Sequence, residues 1–397
     1  RNRQGGDLRL MNHKNIAILF ISIVIAMLGF GIALTVLPFY IESMGGGGAQ
    51  FGILLALFGL MQLIFAPLWG KLSDKYGRKP ILLLGMIGLG SSMFFFGLAT
   101  EIWMLYLAQV ASGILSSAMP PVAMAYITDS SDEEGRSGAL GKVGAAAGLG
   151  VIIGPGFAGI LAGISLSIPF FVAAGFCLLT CVTIQLGLPE SLPAEKRLTA
   201  LDKINIMEVK GLWQALLSPI AFVLLIAFAM NFGKSSFTGA YALYASGRFN
   251  FGTEEVGTIL MVTGLIYLLT QGLLVGPLTK RIGDGNVIKL SLLGSSIGFL
   301  LMLLAADYIT MLITVGLFNL FNALLRPSTL AVISKKATIS QGAAMGIAES
   351  YMGMGRVIGP LWAGFMLEQN INFPYLSGAL FFMIIFLFSL KVSRDKL

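Results

Sequence analysis

From Asn15 to Leu390 the chain is a succession of apolar runs, each about 20 residues long, parted by short polar breaks. That pattern dictates most of the fold. About 20 residues of α-helix rise ~30 Å, the thickness of the hydrocarbon core of a bilayer. In lipid every backbone N–H and C=O must find its partner inside the segment, so each run is predicted to be a transmembrane helix. The runs lie near 15–39, 50–69, 80–99, 103–127, 138–162, 169–188, 217–244, 255–276, 286–305, 309–333, 342–367 and 373–390, which makes twelve. Composition agrees: 56% of residues are hydrophobic and 11% charged, where a soluble domain carries roughly 25% charged. The expected fold class is an all-α membrane protein.

The net charge of +7 would suit a nucleic-acid binder, but its placement argues otherwise. All Lys and Arg except Lys234, Arg248, Arg326 and Arg356 fall in the N-terminal segment, in alternate loops or the span ends beside them (Lys142 and Lys289), or in the tail. Cationic loops stay in the cytoplasm, so both termini are expected there, with the lipid bilayer as partner and no nucleic acid. Residues 1–14 read as a cytoplasmic segment, whose part before Met11 is expected to be an extension upstream of a natural start. Residues 15–188 then form one six-helix bundle, 189–216 a cytoplasmic linker, 217–390 a second bundle and 391–397 a tail. Within the linker, Leu198 to Val209 has the pattern of a short helix lying on the inner leaflet. His13 precedes the first span, so no histidine metal site is available. Cys177 and Cys181 share one helix and read as small packing residues.

The two bundles repeat. Gly150 to Gly159 (GVIIGPGFAG) matches Gly355 to Gly364 (GRVIGPLWAG), and Gly70 to Pro80 (GKLSDKYGRKP) has a worn counterpart in Gly276 to Gly285 (GPLTKRIGDG), at nearly the same offset. Parallel repeats of this kind place a substrate site between the halves near the bilayer midplane. In the loop from Gly70 to Pro80, Gly70 and Gly77 allow a turn and close helix approach, and Asp74 sits among cations, placed for a charge-assisted network. In the fifth span, glycines at helical spacing clear one face for a partner helix, and Pro155 bends the helix. Gly150, Gly154, Pro155 and Gly159, with Gly359 and Pro360 in the repeat, are the expected sliding contact between halves. Generic small-residue packing is the plainer alternative.

These motifs resemble those of the major facilitator superfamily, in its twelve-helix drug:proton antiporters. GKLSDKYGRKP resembles the superfamily's signature between helices two and three, and GVIIGPGFAG the fifth-helix signature of exporters. The stretch FGILLALFGLMQLIFAPLWGKLSDKYGRKPILLLG is similar to bacterial tetracycline exporters, whereas NFGKSSFTGAYALY and LLRPSTLAVIS are more like Gram-positive multidrug exporters. The resemblance implies two pseudo-symmetric six-helix bundles. It also implies a conformational latch carried by Gly70, Asp74, Gly77 and Arg78, with Asp129 at the end of the fourth helix and Arg136 in the next loop as partners.

Departures from the pattern bear on mechanism. Gln109 stands where the family's fourth helix has an arginine, Ile16 to Phe39 holds no acid, Thr238 stands where some relatives carry one, and the membrane histidine of tetracycline exporters is missing. Of the 19 acids, Glu349 alone lies well inside a span. Apolar surroundings favour a neutral carboxyl and a nearby cation favours the charged form, so such a group can take up and release a proton as its setting changes. Arg356 follows seven residues later on the same helix face, and Lys234 in helix seven is a second candidate partner. A static ion pair is the alternative role.

In this superfamily helices one, four, seven and ten line the cavity, so Lys234, Arg326 and Gln109 are candidate substrate ligands. Phe30, Met119, Phe237, Tyr241 and Phe318 are the candidates for an adaptable apolar wall. The expected function is proton-coupled export of amphipathic drugs by alternating access, by a monomer with no cofactor. Two alternatives stand beside it: an exporter of an endogenous anionic metabolite or siderophore gripped by the embedded cations, and a non-transporting membrane receptor or scaffold. No nucleophile–base constellation, metal cluster or phosphate loop is visible, so an enzyme is not expected.

Overall fold

A computed structural model describes residues 13–130, 133–197, 220–337 and 341–391, with the side chains of 13–14, 133–140 and 196 left aside. The proposed surface helix at Leu198 to Val209 and most of the N-terminal segment and tail lie outside these residues. Among the described residues twelve long helices follow one another: α1 His13–Ser43, α2 Gly48–Tyr76, α3 Arg78–Leu98, α4 Ile102–Ser130, α5 Glu133–Ala162 and α6 Ile168–Gly187. After the linker come α7 Ala221–Phe249, α8 Thr253–Ile282, α9 Asp284–Leu303, α10 Tyr308–Lys336, α11 Gln341–Gln369 and α12 Phe373–Lys391. A turn at Ser117 and Ala118 breaks α4, and a π-helical stretch, Thr270–Leu274, interrupts α8.

Among the described residues, 11 of these helices are long and apolar enough to cross a membrane. The exception, α11, is 29 residues long but is diluted by Glu349, Arg356 and several glycines. It packs between α7 of its own half and α2 of the other, while Ile358, Leu361, Trp362 and Phe365 stay exposed.

Each half has its own core. In the first, α1 packs on α5 and α6, and α3 on α4 and α6; in the second, α7 packs on α11, and α9 on α10 and α12. The halves meet along two seams, α2 with α11 and α5 with α8. Both seams are built the same way. A Cβ on Gly257 of α8 would strike the Pro155 carbonyl of α5, and one on Gly52 of α2 would strike that of Pro360 in α11. The seams are therefore backbone against backbone.

Both seams run from the face opposite the termini. They begin where the Ala49 N–H donates to Glu368 Oε1 at 3.2 Å and Thr253 Oγ1 donates to the Gly159 carbonyl at 3.3 Å. Toward the termini the same helices part: at Gly70 of α2, Gly342 and Gly346 of α11, Gly141 and Gly144 of α5, and Gly272 and Gly276 of α8, no described atom lies within 4 Å of where a Cβ would stand. The molecule is thus sealed on the face away from the termini and open on the face that carries them.

The expected sliding helix divides its labour. Gly159, Pro155 and Pro360 do meet the other half. Gly150 and Gly154, however, pack on Val24 and Leu28 of α1, and Gly359 on Phe232 of α7, so these three hold each half together instead. Cys177 is buried and Cys181 half-buried, and both thiols are free.

Candidate functional site

Two charged sites stand out, one at the open mouth of the first half and one within the second. The mouth site is built around Arg78, the first residue of α3. Gly77, at φ +102°, makes the turn that starts this helix, in a region that L side chains avoid. A side chain there would also strike the Glu190 carboxylate. Arg78 retains only 8% side-chain exposure, and its guanidinium makes three contacts: Nη1 reaches Asp74 at 2.6 Å and donates to Ser73 Oγ at 2.6 Å, and Nε donates to Asp129 at 2.9 Å. This is a three-helix clasp, with Asp74 from α2, Arg78 from α3 and Asp129 from α4.

Gly77, Asp74, Arg78 and Asp129 thus come together, while Gly70 stands in open space below them. Arg136 lies in the first turn of α5 rather than in a loop, because the helix already starts at Glu133, and its side chain is outside the described residues. Glu190 was not singled out from sequence, yet it completes the clasp. Its carboxylate accepts the N–H groups of Arg78 at 2.8 Å and Lys79 at 3.2 Å, capping the free start of α3, and faces Arg197 at 4.0 Å. An acid just past the end of the sixth span, on the same membrane face as the basic loop, was the available signal.

The worn copy in the second half also forms an ion pair, with its charges reversed. Gly283, at φ +80°, repeats the turn of Gly77. Asp284 then stands in the place of Arg78, Lys280 in that of Asp74 and Lys335 in that of Asp129. Lys335 Nζ meets Asp284 Oδ2 at 2.6 Å. Lys335 is 70% exposed, so this pair is weaker than its counterpart.

Inside the second half, Glu349 is half exposed toward the open side and lies between two arginines. Arg356 Nη2 donates to Oε1 at 2.8 Å, and Arg326 Nη2 stands 4.0 Å from Oε2. The first arginine is on the same helix and the second comes from α10, so the ion pair spans α10 and α11. Lys234 does not join them. Its ammonium lies 3.7 Å from the ring centroid of Tyr267 in α8, a cation–π contact that the sequence reading did not foresee.

The expected apolar wall needs correction. Phe237 stacks on Tyr241 and both pack with Phe318 in the core of the second half, where all three are buried; Met119 is buried against Gly85 of α3 in the core of the first. Core packing claims them, because a membrane helix is apolar on every face and its sequence does not distinguish inside from outside. Only Phe30 keeps some exposure, against Phe58 of α2. Gln109 is buried in α4.

Two six-helix bundles, sealed on one face and clasped at the mouth, define a multi-pass membrane protein of the transporter type. The chain belongs to the Major Facilitator Superfamily, whose family model matches residues 19–271 and 223–396. It is 32% identical over 388 residues to Multidrug resistance protein 2 of Bacillus subtilis, covering 96% of each protein. It is 29% identical over 364 residues to the quinolone resistance protein NorA of Staphylococcus aureus, covering 91% of this chain and 92% of that one. Among solved structures, the nucleoside transporter NupG superposes with a TM-score of 0.81 at 14% identity, over 95% of this chain and 99% of that one, a likeness of fold.

Proposed function

We propose that this protein exports amphipathic drugs across a bacterial inner membrane in exchange for protons, by alternating access, and that Glu349 carries the proton. The observation that carries this reading is the position of Glu349: a half-exposed carboxylate, well inside a helix of the second half, facing the open side, held by Arg356 of its own helix and faced by Arg326 of α10. A membrane-embedded carboxylate is costly to keep and is normally functional. The relatives' names, multidrug resistance and quinolone resistance, support drugs as the cargo.

Both termini lie in the cytoplasm on the positive-inside rule, so the open face is the one from which an exporter loads. Loading there leaves Glu349 ionised and Arg356-bound. After the seams part and the mouth closes, a proton from outside neutralises the carboxylate and weakens its hold on charged cargo. The chain works as a monomer, since each half finds its partner in the other.

The test is proton flux in proteoliposomes on adding cationic, zwitterionic and anionic drugs, with wild type beside Glu349→Gln. Wild type is expected to dissipate an imposed proton gradient with at least one drug, and Glu349→Gln with none. Equal responses from the two proteins would sink Glu349 as the carrier.

A further inference from the structure

The charges within the second half do not balance, and the imbalance specifies a cargo. Away from the span ends Glu349 is the single carboxylate of that half, against Arg326, Arg356 and Lys234. Lys234 rests on Tyr267. Arg356 takes Oε1 of Glu349 at 2.8 Å. Arg326 is left 4.0 Å from Oε2, beyond hydrogen-bond reach, with 49% of its side chain exposed. Two half-satisfied groups of opposite sign therefore stand side by side at the open cavity: a guanidinium and a carboxylate oxygen. The other charged groups on α10, α11 and the helices packed on them stand within about two turns of helix ends: Lys71, Asp74 and Lys75 on α2, Arg248 on α7, Glu254, Glu255, Lys280 and Arg281 on α8, Asp284 and Lys289 on α9, Lys335 and Lys336 on α10, Glu368 on α11 and Lys391 on α12, while Tyr351 follows Glu349 by two residues.

The direction of coupling narrows the cargo further. In an exporter that exchanges drug for protons, binding of drug must expel the proton from Glu349. A purely anionic ligand on Arg326 does the reverse, because added negative charge beside a carboxyl holds its proton in place. A purely cationic ligand expels the proton but is repelled by Arg326. A molecule with both charges answers both requirements.

We infer that the Arg326–Glu349 pair is a receptor for zwitterionic amphiphiles, with the ligand's carboxylate on Arg326 and its cationic group on Glu349 Oε2. Arg356 keeps Oε1 throughout, and the proton that leaves Glu349 passes to the open side. This rests on Glu349 being the proton carrier, and it makes Arg326 the residue that selects the cargo.

The experiment uses the purified full-length protein in weakly buffered detergent with three dyes of one skeleton class: rhodamine B, a zwitterion; its ethyl ester, a cation; and fluorescein, an anion. Binding is read by fluorescence polarisation and proton movement by a pH electrode. Wild type is expected to bind rhodamine B about tenfold more tightly than the ester, the scale of one charge-assisted hydrogen bond, and to release protons as it does so. Arg326→Gln should erase the preference, and Arg326→Lys, which keeps the charge, should retain much of it. An ester bound as tightly as the acid by wild type, tighter binding of fluorescein than of rhodamine B, a preference unchanged in Arg326→Gln, or no binding of any dye would each overturn the inference. Proton release that persists in Glu349→Gln would instead remove Glu349 as carrier, while the dependence of the acid preference on Arg326 would still judge the receptor.

Discussion

The two halves share a plan and differ in where they keep their charge. The seam helices match residue for residue, Pro155 and Gly257 on one side mirroring Pro360 and Gly52 on the other. The clasps match in position and oppose in sign, Arg78 with Asp129 against Asp284 with Lys335. Embedded charge is not shared at all, for Glu349, Arg326, Arg356 and Lys234 all belong to the second half. Packing has stayed symmetric where geometry demands it, and chemistry has become concentrated in one half. The first half serves as the clasped frame and the second carries the charged groups.

The comparison breaks most sharply at the seams. Gly257→Leu puts a side chain into the Pro155 carbonyl, which cannot move without α5, so the sealed face should be forced open. Gly154→Leu strikes α1 inside one half, so it should lower thermal stability without opening that face. Cysteine labelling from the outer side distinguishes the two, and equal labelling of both variants would mean that the seam does not set the conformation.

The next effect is at the clasps. Arg78→Ala leaves Asp74 and Asp129 facing each other, 39% and 25% exposed, around the gap left by a buried guanidinium, a loss of about 2 kcal/mol once solvent screening is allowed for. Lys335→Ala removes a largely exposed partner, at a cost of ~1 kcal/mol or less. Melting temperatures in detergent should therefore fall further for the first, and similar shifts would show the two clasps to be equivalent after all.

The smallest effect tests the reversal itself. Asp284→Lys and Lys335→Asp should each weaken the second clasp, and the double exchange should restore it, with a coupling of roughly 0.5 kcal/mol in a double-mutant cycle. Strict additivity would show that the 2.6 Å contact contributes nothing.

Much of this was legible in the sequence, because hydrophobic length and cation placement are read directly by the membrane. Span positions follow from those two signals, and the repeat and the Arg78 clasp followed from their motifs. The charge-reversed clasp was visible only as a worn copy, since matching residues by identity discards a position where Asp replaces Arg. Phe237, Tyr241 and Phe318 were misplaced because an all-apolar helix has no polar face to orient it. The pairing of Arg326 with Glu349 joins two helices that share no motif, and the capping role of Glu190 depends on where the sixth span ends in space.

One consequence of the backbone seams concerns what the moving joint can feel. Where the carbonyl of a proline presses against a glycine there is no ionisable group and no long side chain, so that stretch of the bearing between the halves has nothing with which to sense pH, salt or cargo. Sensing must then reside in the charged residues elsewhere on the same helices, Glu349 and Arg356 further along α11 and Glu368 at its outer end. Selection can reshape the cargo site without retuning the joint, and one machine can change what it carries while moving in the same way.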